Sequence, residues 1–239
     1  MTRIHPLRLR LSNAYLLTGD HRPVLVDTGS PGDGQALESG CAAGGVNPRD
    51  LALILHTHVH SDHGGNTAEW ARRAGCPVSY HAGDRELAAR GHNGRLRGVG
   101  LRGRLMAPFF SDAAFPSFAA DLPATDGQRL DAFGLAATVL HTPGHTRGSI
   151  SLVLDSGDAI IGDLLMGGHL GGRIRPGKPN FHYFAEDAAE GMRSLDRVLA
   201  TARGWLHVGH GGPLAHADVA RWRAGQRPRS GSSNGHHGP

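Results

Sequence analysis

At 239 residues, 39% of them apolar and 19% charged, the chain has the composition of an ordinary soluble globular protein, with enough material to bury a substantial core in one large or two small domains. The formal charge of +4 belongs to the end of the chain: residues 221–239 carry Arg221, Arg223, Arg227 and Arg229 and no acid, the rest is neutral, and charge therefore gives no argument for a nucleic-acid partner. Two cysteines, Cys41 and Cys76, exclude a disulfide framework, and no run approaches the roughly 18 apolar residues of a membrane span.

The opening residues Arg3 to Leu11 alternate like a strand and do not form the apolar core of a signal peptide, so a cytoplasmic location is expected. Strands are expected at Leu7–Leu11, Ala14–Thr18 and Val24–Asp27, separated by the turn formers Ser12-Asn13 and Gly19-Asp20. A helix over Gly34–Gly44 follows. After it come a strand at Leu51–Leu55, a helix over Asn66–Ala74, a strand at Pro77–Tyr80 and a short helix over Gly83–Arg90. Residues 91–120 have little periodicity and read either as a flap over a site or as a plain surface insertion. Beyond it, strands are expected at Leu135–His141, Ser149–Leu154, Ala159–Gly162 and Trp205–Val208, with helices over Phe184–Leu199 and Ala217–Arg223. Strands followed by helix thus occur twice, in residues 7–90 and 130–220. That pattern suggests two similar halves, sheet against sheet with helices outside, in one domain over 1–222. Residues 223–239, basic and rich in Gly and Ser, are expected to be a disordered tail.

The chemistry concentrates directly after the apolar run Leu51–Leu55. There His58, His60, Asp62 and His63 form an H-x-H-x-D-H pattern. If the extended backbone persists past Leu55, period-two alternation sends His58 and His60 to one side, while Asp62 and His63 enter the following turn and can point elsewhere. One short segment then offers two imidazoles to one metal ion and an imidazole plus a carboxylate to a second, a donor set suited to Zn²⁺, Fe or Mn. The competing reading is a His-rich surface loop, since the chain has 17 His. Three further residues follow later strands: His145 in a sharp bend between two strands, Asp163 after Ala159-Ile160-Ile161, and His210 after the last strand. Together these make five imidazoles and two carboxylates, enough for two metal ions.

In this arrangement the chain resembles the metallo-β-lactamase-fold hydrolases over nearly its whole length, from about Asn13 to His210. The motifs are Asp27-Thr28-Gly29, the His58 to His63 pattern, Thr142-Pro143-Gly144-His145-Thr146, Asp163, and Gly209-His210-Gly211, in family order. The resemblance implies a four-layer αββα sandwich with the site along one edge. It implies that His58, His60 and His145 hold one metal, that Asp62, His63 and His210 hold the second, and that Asp163 bridges them, with Asp27 buttressing the ligand loop. His56, His81, His141 and His207 match no ligand position. Neither do His169, His182 and Tyr183, although their place after Asp163 admits a substrate contact.

The implied chemistry is hydrolysis by a metal-bridging hydroxide, with two divalent ions (Zn²⁺ first, Fe or Mn possible) and with Asp62 as both ligand and proton acceptor. Asp163 and the missing secretory signal disfavour a true β-lactamase. A glyoxalase II would carry a helical glutathione-binding region beyond its last ligand, and the 29 residues after His210 are not expected to form one, which puts a glutathione substrate in doubt. A small glyoxalase II-like or lactonase-like hydrolase of a thioester, lactone or related ester is therefore expected, acting on a small molecule with neither nucleic acid nor membrane as partner. The alternatives are a mononuclear iron sulfur dioxygenase of the same fold and a β-lactamase-type amide hydrolase. Substrate choice is expected from Phe109, Phe110, Phe115 and Phe118 in the insertion, and from Arg173, Arg175 and Lys178 in the Met166–Phe184 loop.

Overall fold

In the computed structural model, which describes residues 2–20 and 22–226, the two halves of the chain form two five-stranded sheets. The first contains, in spatial order, β1 (Arg3–Arg8), β2 (Asn13–Thr18), β3 (Val24–Val26), β4 (Leu53–Leu55) and β5 (Val78–Ser79). β1 to β3 are antiparallel, as their short turns require, whereas β3, β4 and β5 are parallel. The parallel steps need crossovers, which are supplied by α1 (Gly34–Ala43), α2 (Ser61–Gly64) and α3 (Thr67–Ala74). α4 (Arg85–Arg90) and α5 (Gly100–Phe110) then lead to the second sheet. That sheet begins with β6 (Ala137–His141), β7 (Ile150–Leu154) and β8 (Ala159–Ile160), again antiparallel. A separate hairpin, β9 (Met166–His169) with β10 (Ile174–Asn180), and α6 (Ala188–Thr201) come next in the chain. β11 (Trp205–His207) then adds parallel to β8, β12 (Leu214–Ala215) closes the edge, and α7 (His216–Gly225) ends the described chain.

Period-two alternation explains the layering. On β2, β3 and β4, the residues Tyr15, Leu17, Val24, Val26, Leu53 and Leu55 face the second sheet and meet Ile150, Leu152 and Leu154 of β7. Their neighbours Leu16, Leu25 and Ile54 face the other way, into a second apolar layer completed by Leu37 and Cys41 of α1 and Trp70 of α3. On the far side Val153 joins Leu195 and Val198 of α6 and Val219 of α7. Both faces of each sheet are thus covered, which makes the four-layer αββα sandwich expected from the sequence, and explains why the central strands are apolar at every position.

Four local expectations need correction. β1 covers Arg3–Arg8 and not Leu7–Leu11, because Leu9 N–H donates to Ser12 O and residues 9–12 make the turn. Pro6 is tolerated because β1 is an edge strand. α6 starts at Ala188, not Phe184: Asp187 caps it by accepting the Glu190 N–H at 2.9 Å, and Phe184 is buried elsewhere. The insertion is not irregular throughout, since Gly100–Phe110 is helical despite Pro108. α7 continues to Gly225, with Arg223 paired to Asp196 at 2.8 Å, so the tail cannot begin at 223; the remainder of the expected tail, from 227, lies outside the described residues.

If both faces of the first sheet are buried, Leu53→Ala and Ile54→Ala should each cost about 2–5 kcal/mol, although consecutive side chains point to opposite layers. Urea unfolding of the two variants checks this, and a near-neutral result for either would show that its face is open to solvent.

Candidate metal centre

The apolar strand β4 carries the chain to the site still extended: His60 has φ −111° and ψ 164°, and the His58 and His60 rings lie 5.0 Å apart. α2 then turns Asp62 and His63 round to a second position, with the His63 ring 4.2 Å from that of His58 on the other flank. The second half of the chain brings the rest. The turn between β6 and β7 delivers His145, whose Nε2 is 2.9 Å from His60 Nδ1. Asp163 follows β8 on a single turn, and His210 follows β11. All seven residues expected from the sequence converge. His58, His60 and His145 form one group, and Asp62, His63 and His210 another, the donor atoms within each lying within 4.8 Å.

Asp163 sits between the groups. Its Oδ2 is 3.8 Å from His58 Nε2, 3.5 Å from His145 Nε2 and 3.2 Å from His210 Nε2, and its Oδ1 is 3.6 Å from His63 Nε2. This closeness dictates a glycine at 209, where a Cβ would fall 2.0 Å from Asp163 Oδ1 and 2.7 Å from His63 Cε1.

Outer hydrogen bonds fix how the imidazoles point. His63 Nδ1–H donates to Asp27 Oδ2 (2.8 Å), His210 Nδ1–H to Leu11 O (2.8 Å) and His145 Nδ1–H to Phe184 O (2.9 Å). Each bond leaves Nε2 turned toward the cluster, the usual way a protein orients a metal-binding histidine. His58 Nε2, His63 Nε2 and Asp163 Oδ1 are buried without any hydrogen-bond partner among the described residues. Orphaned donors and acceptors of this kind are costly unless a cation gathers them, so the residues fit a metal centre. The electrostatics divide the two groups. Burial lowers His58 and His145 well below the ordinary histidine value and brings His60 to about 4, which keeps their lone pairs free at neutral pH. Burial acts on His63 and His210 too, but Asp163, with Asp27 beside the first and Asp62 beside the second, outweighs it. His63 is raised well above the ordinary value and His210 to about 10.

Two residues take roles that the sequence reading did not give them. His182, matched to no ligand position, is half-buried with Nε2 3.2 Å from Asp163 Oδ2, and its ring is 4.5 Å from that of His145. With His145 and Asp163 it makes a further triplet able to hold a cation. Asp84 lies behind the site and accepts Val59 N–H, Thr146 Oγ1–H and Gly148 N–H, each at 2.9 Å, thereby tying the His58 segment to the His145 turn. Burial pushes its carboxyl up to about 6. No local signal marks Asp84, and the place of His182 after Asp163 points only to a substrate contact, since both act through contacts across the chain. The four histidines that match no ligand position nearer the motifs are structural: His56 bonds Thr67 Oγ1 (2.9 Å), His81 and His141 stack at 3.8 Å, and the His207 ring meets Tyr15 edge-on.

Beside the cluster opens a cleft of about 290 Å³. The insertion lines it with Leu96, Met106 and Phe110, and the β9–β10 region with Leu170, Tyr183 and Phe184. Asp62, Asn93 and Arg173 are among its polar members. Of the four phenylalanines expected there, only Phe110 lines the cleft. Phe115 and Phe118 pack into the first outer layer, Phe118 lying 5.2 Å from the His56 ring, and Phe109 is 84% exposed. Arg175 and Lys178 are exposed on β10 and do not line the cleft.

Comparison with known proteins agrees with this architecture. Residues 7–210 match the sequence model of the metallo-beta-lactamase superfamily. A hydroxyacylglutathione hydrolase of Anaeromyxobacter dehalogenans (strain 2CP-C) is 34% identical over 197 residues, which are 82% of this chain and 60% of that protein; the chain thus spans less than two thirds of this relative's length. A probable metallo-hydrolase of Bacillus subtilis (strain 168), YqgX, is 31% identical over 164 residues, or 67% of this chain and 69% of that one. Among solved structures, the metallo-beta-lactamase family protein TTHA1429 from Thermus thermophilus superposes with a TM-score of 0.67 at 25% identity, over 94% of this chain and 78% of that one. TTHA1623, solved in a di-iron-bound form, gives a TM-score of 0.61 at 28% identity over 88% and 92%. A match over residues 7–210, carried by the fold and by the gathered histidines and aspartates alike, means that the chain belongs to the metallo-beta-lactamase superfamily.

Proposed function

We propose that this protein is a dinuclear metal-dependent hydrolase of a carboxylic ester, thioester or lactone with an apolar acyl part. The observation that carries the reading is Asp163, a single buried carboxylate that reaches both groups, with Oδ2 near His58, His145 and His210 and Oδ1 near His63. His58, His60 and His145 would hold one ion, Asp62, His63 and His210 the other, and Asp163 would span both. When bound, the ions supply a nucleophilic hydroxide at neutral pH and polarise the carbonyl. Asp62 is placed to take up the proton, since it lines the cleft together with His60, His145, Asp163 and His210 and its side chain, 22% exposed, is the most open of the seven. The apolar walls formed by Met106, Phe110 and Phe184 suit an acyl group and keep water from the reacting centre. The relative named as a hydroxyacylglutathione hydrolase supports acyl hydrolysis, and the di-iron form of TTHA1623 makes iron as admissible as zinc. A panel of thioesters, lactones and esters offered to metal-loaded protein tests the reaction class, and no turnover of any would refute it.

Asp62→Asn keeps the shape but removes the charge and the proton acceptor. kcat on the best substrate of the panel should fall by on the order of 10²-fold. Wild-type kcat in this variant would exclude Asp62 from the chemistry.

His182 is assigned as a positioning residue that holds Asp163 from the cleft side. His182→Phe should lower kcat by about tenfold with two metals still bound, and His182→Gln should restore part of the loss. A drop to one metal per chain in His182→Phe would make His182 a ligand instead.

Metal uptake should also reveal the electrostatic division. In the metal-free protein at neutral pH, His63 and His210 carry the extra proton and His58, His60 and His145 do not. Filling the Asp62 group should therefore release up to two protons, and its affinity should rise with pH toward about 10, where His210 titrates. The imidazoles of the other group should release none, and one further proton should come from the water that becomes hydroxide once both groups are filled. Zn²⁺ titration in weakly buffered indicator solution counts the protons, and two-metal binding without proton release would contradict this assignment.

A further inference from the structure

The insertion that walls the cleft also presents apolar side chains to solvent. On α5, Leu101, Leu105 and Phe109 recur every four residues and so form one stripe, and they are 75%, 65% and 84% exposed. Across a groove from Leu105 stand Leu170 and Ile174 of the β9–β10 hairpin, 57% and 48% exposed. The two segments are one platform: Val99 N–H donates to Tyr183 O (2.7 Å), and Ala107, Met106 and Phe110 pack on Met166, Tyr183 and Phe184. A contiguous exposed apolar face of this kind marks a surface that is covered in use.

Its charge identifies what covers it. Residues 98–111 contain Arg102 and Arg104 and no acid; residues 164–185 contain Arg173, Arg175 and Lys178 and no acid. All five cations are exposed. Arg95 and Arg97, earlier in the insertion, line a separate groove with Glu186, Asp187 and Glu190 and do not belong to the platform. A two-fold pairing of the platform with a second copy of itself would set five cations against five. An anionic lipid surface offers both complements at once: acyl chains for the stripe and acidic headgroups for the arginines.

We propose, in place of the expectation from the sequence that no membrane is a partner, that the α5 and β9–β10 platform docks peripherally on an anionic lipid surface, with Leu105 and Phe109 entering the acyl layer and the flanking arginines contacting the headgroups. No membrane-spanning helix is needed for this, and no described helix is long and apolar enough to be one. Met106, Leu170 and Tyr183 line both the groove and the catalytic cleft, so the docked face adjoins the entrance for an apolar acyl group. Docking itself does not depend on the proposed chemistry.

Co-sedimentation of the full chain with vesicles tests it without reference to turnover. Binding should be strong to phosphatidylcholine vesicles containing about 30% phosphatidylglycerol, weak to phosphatidylcholine alone, and should fall as salt rises from about 0.05 to about 0.5 M. Leu105→Ser/Phe109→Ser should weaken binding by about tenfold or more with an unchanged circular dichroism spectrum, and Arg102→Ala/Arg104→Ala should weaken it and flatten the salt dependence. Absence of vesicle binding, or equal binding to neutral and anionic vesicles, would overturn the proposal. So would light scattering that shows a dimer which Leu105→Ser/Phe109→Ser converts to monomer, because the platform would then be covered by a second copy.

Discussion

The site depends on one buried anion, the carboxylate of Asp27, placed where β3 ends. It accepts the Thr57 N–H at 2.9 Å, the Thr57 hydroxyl at 2.7 Å and the His63 Nδ1–H at 2.8 Å. Burial alone would drive this carboxyl to its neutral form, but His63 and His56 hold it below the usual range, so it stays charged. The backbone contributes as well, since Asp27 has φ +63°, a conformation that a non-glycine residue keeps only when its surroundings demand it. Through Thr57 and His63 this single group fixes both ends of the segment that carries His58, His60 and Asp62. Loss of the carboxylate oxygens would leave three donors buried without an acceptor, which is far more costly than the loss of one surface hydrogen bond.

The second constraint is the seam between the halves. Neither sheet owns the site: four of the seven residues come from the first half and three from the second. The halves are held in register beside the cluster by polar contacts, not by apolar packing alone. Asn13 Nδ2–H donates to Val208 O and Gly211 O, Tyr15 Oη–H also donates to Val208 O, and Ile150 N–H donates to Thr57 O. Asp84 performs the same service on the opposite flank, joining Val59 to Thr146 and Gly148. Such bonds are directional, so they set the relative position of His58 and His145 more closely than the slippery faces of leucine and valine could.

A rigid centre with an apolar cleft beside it separates two tasks. In the proposed reading, the buried histidines and aspartates, locked by their outer partners, would serve the bond-breaking step that carbonyl substrates share, and selection would fall to the insertion and the hairpin. Asn93 connects the two tasks: its Oδ1 accepts Ser61 N–H at 2.6 Å and its Nδ2–H reaches Phe110 O at 3.1 Å, so the cleft wall is anchored to the ligand segment itself.

The sequence by itself determined the parts whose signal is local. Alternating or continuous apolar runs located β2, β3, β4, β6 and β7, because burial on one or both faces writes itself into neighbouring residues. The spacing His58, His60, Asp62, His63 announced its grouping because four donors lie within one short segment. His145, Asp163 and His210 were legible as strand-end residues, and the family resemblance joined them to the first four. Only the tertiary structure decided what depends on distant parts of the chain meeting. It put His182 against Asp163, placed Asp84 under the His58 and His145 loops, sent Phe115 and Phe118 to the core but Phe110 to the cleft, and made a helix of residues 100–110. The physical reason is the same in each case. A histidine, a carboxylate or a phenylalanine has no preferred role until its neighbours set its burial and its partners, and those neighbours lie far off in sequence: 62 residues separate Asp84 from Thr146, and 195 separate Asn13 from Val208.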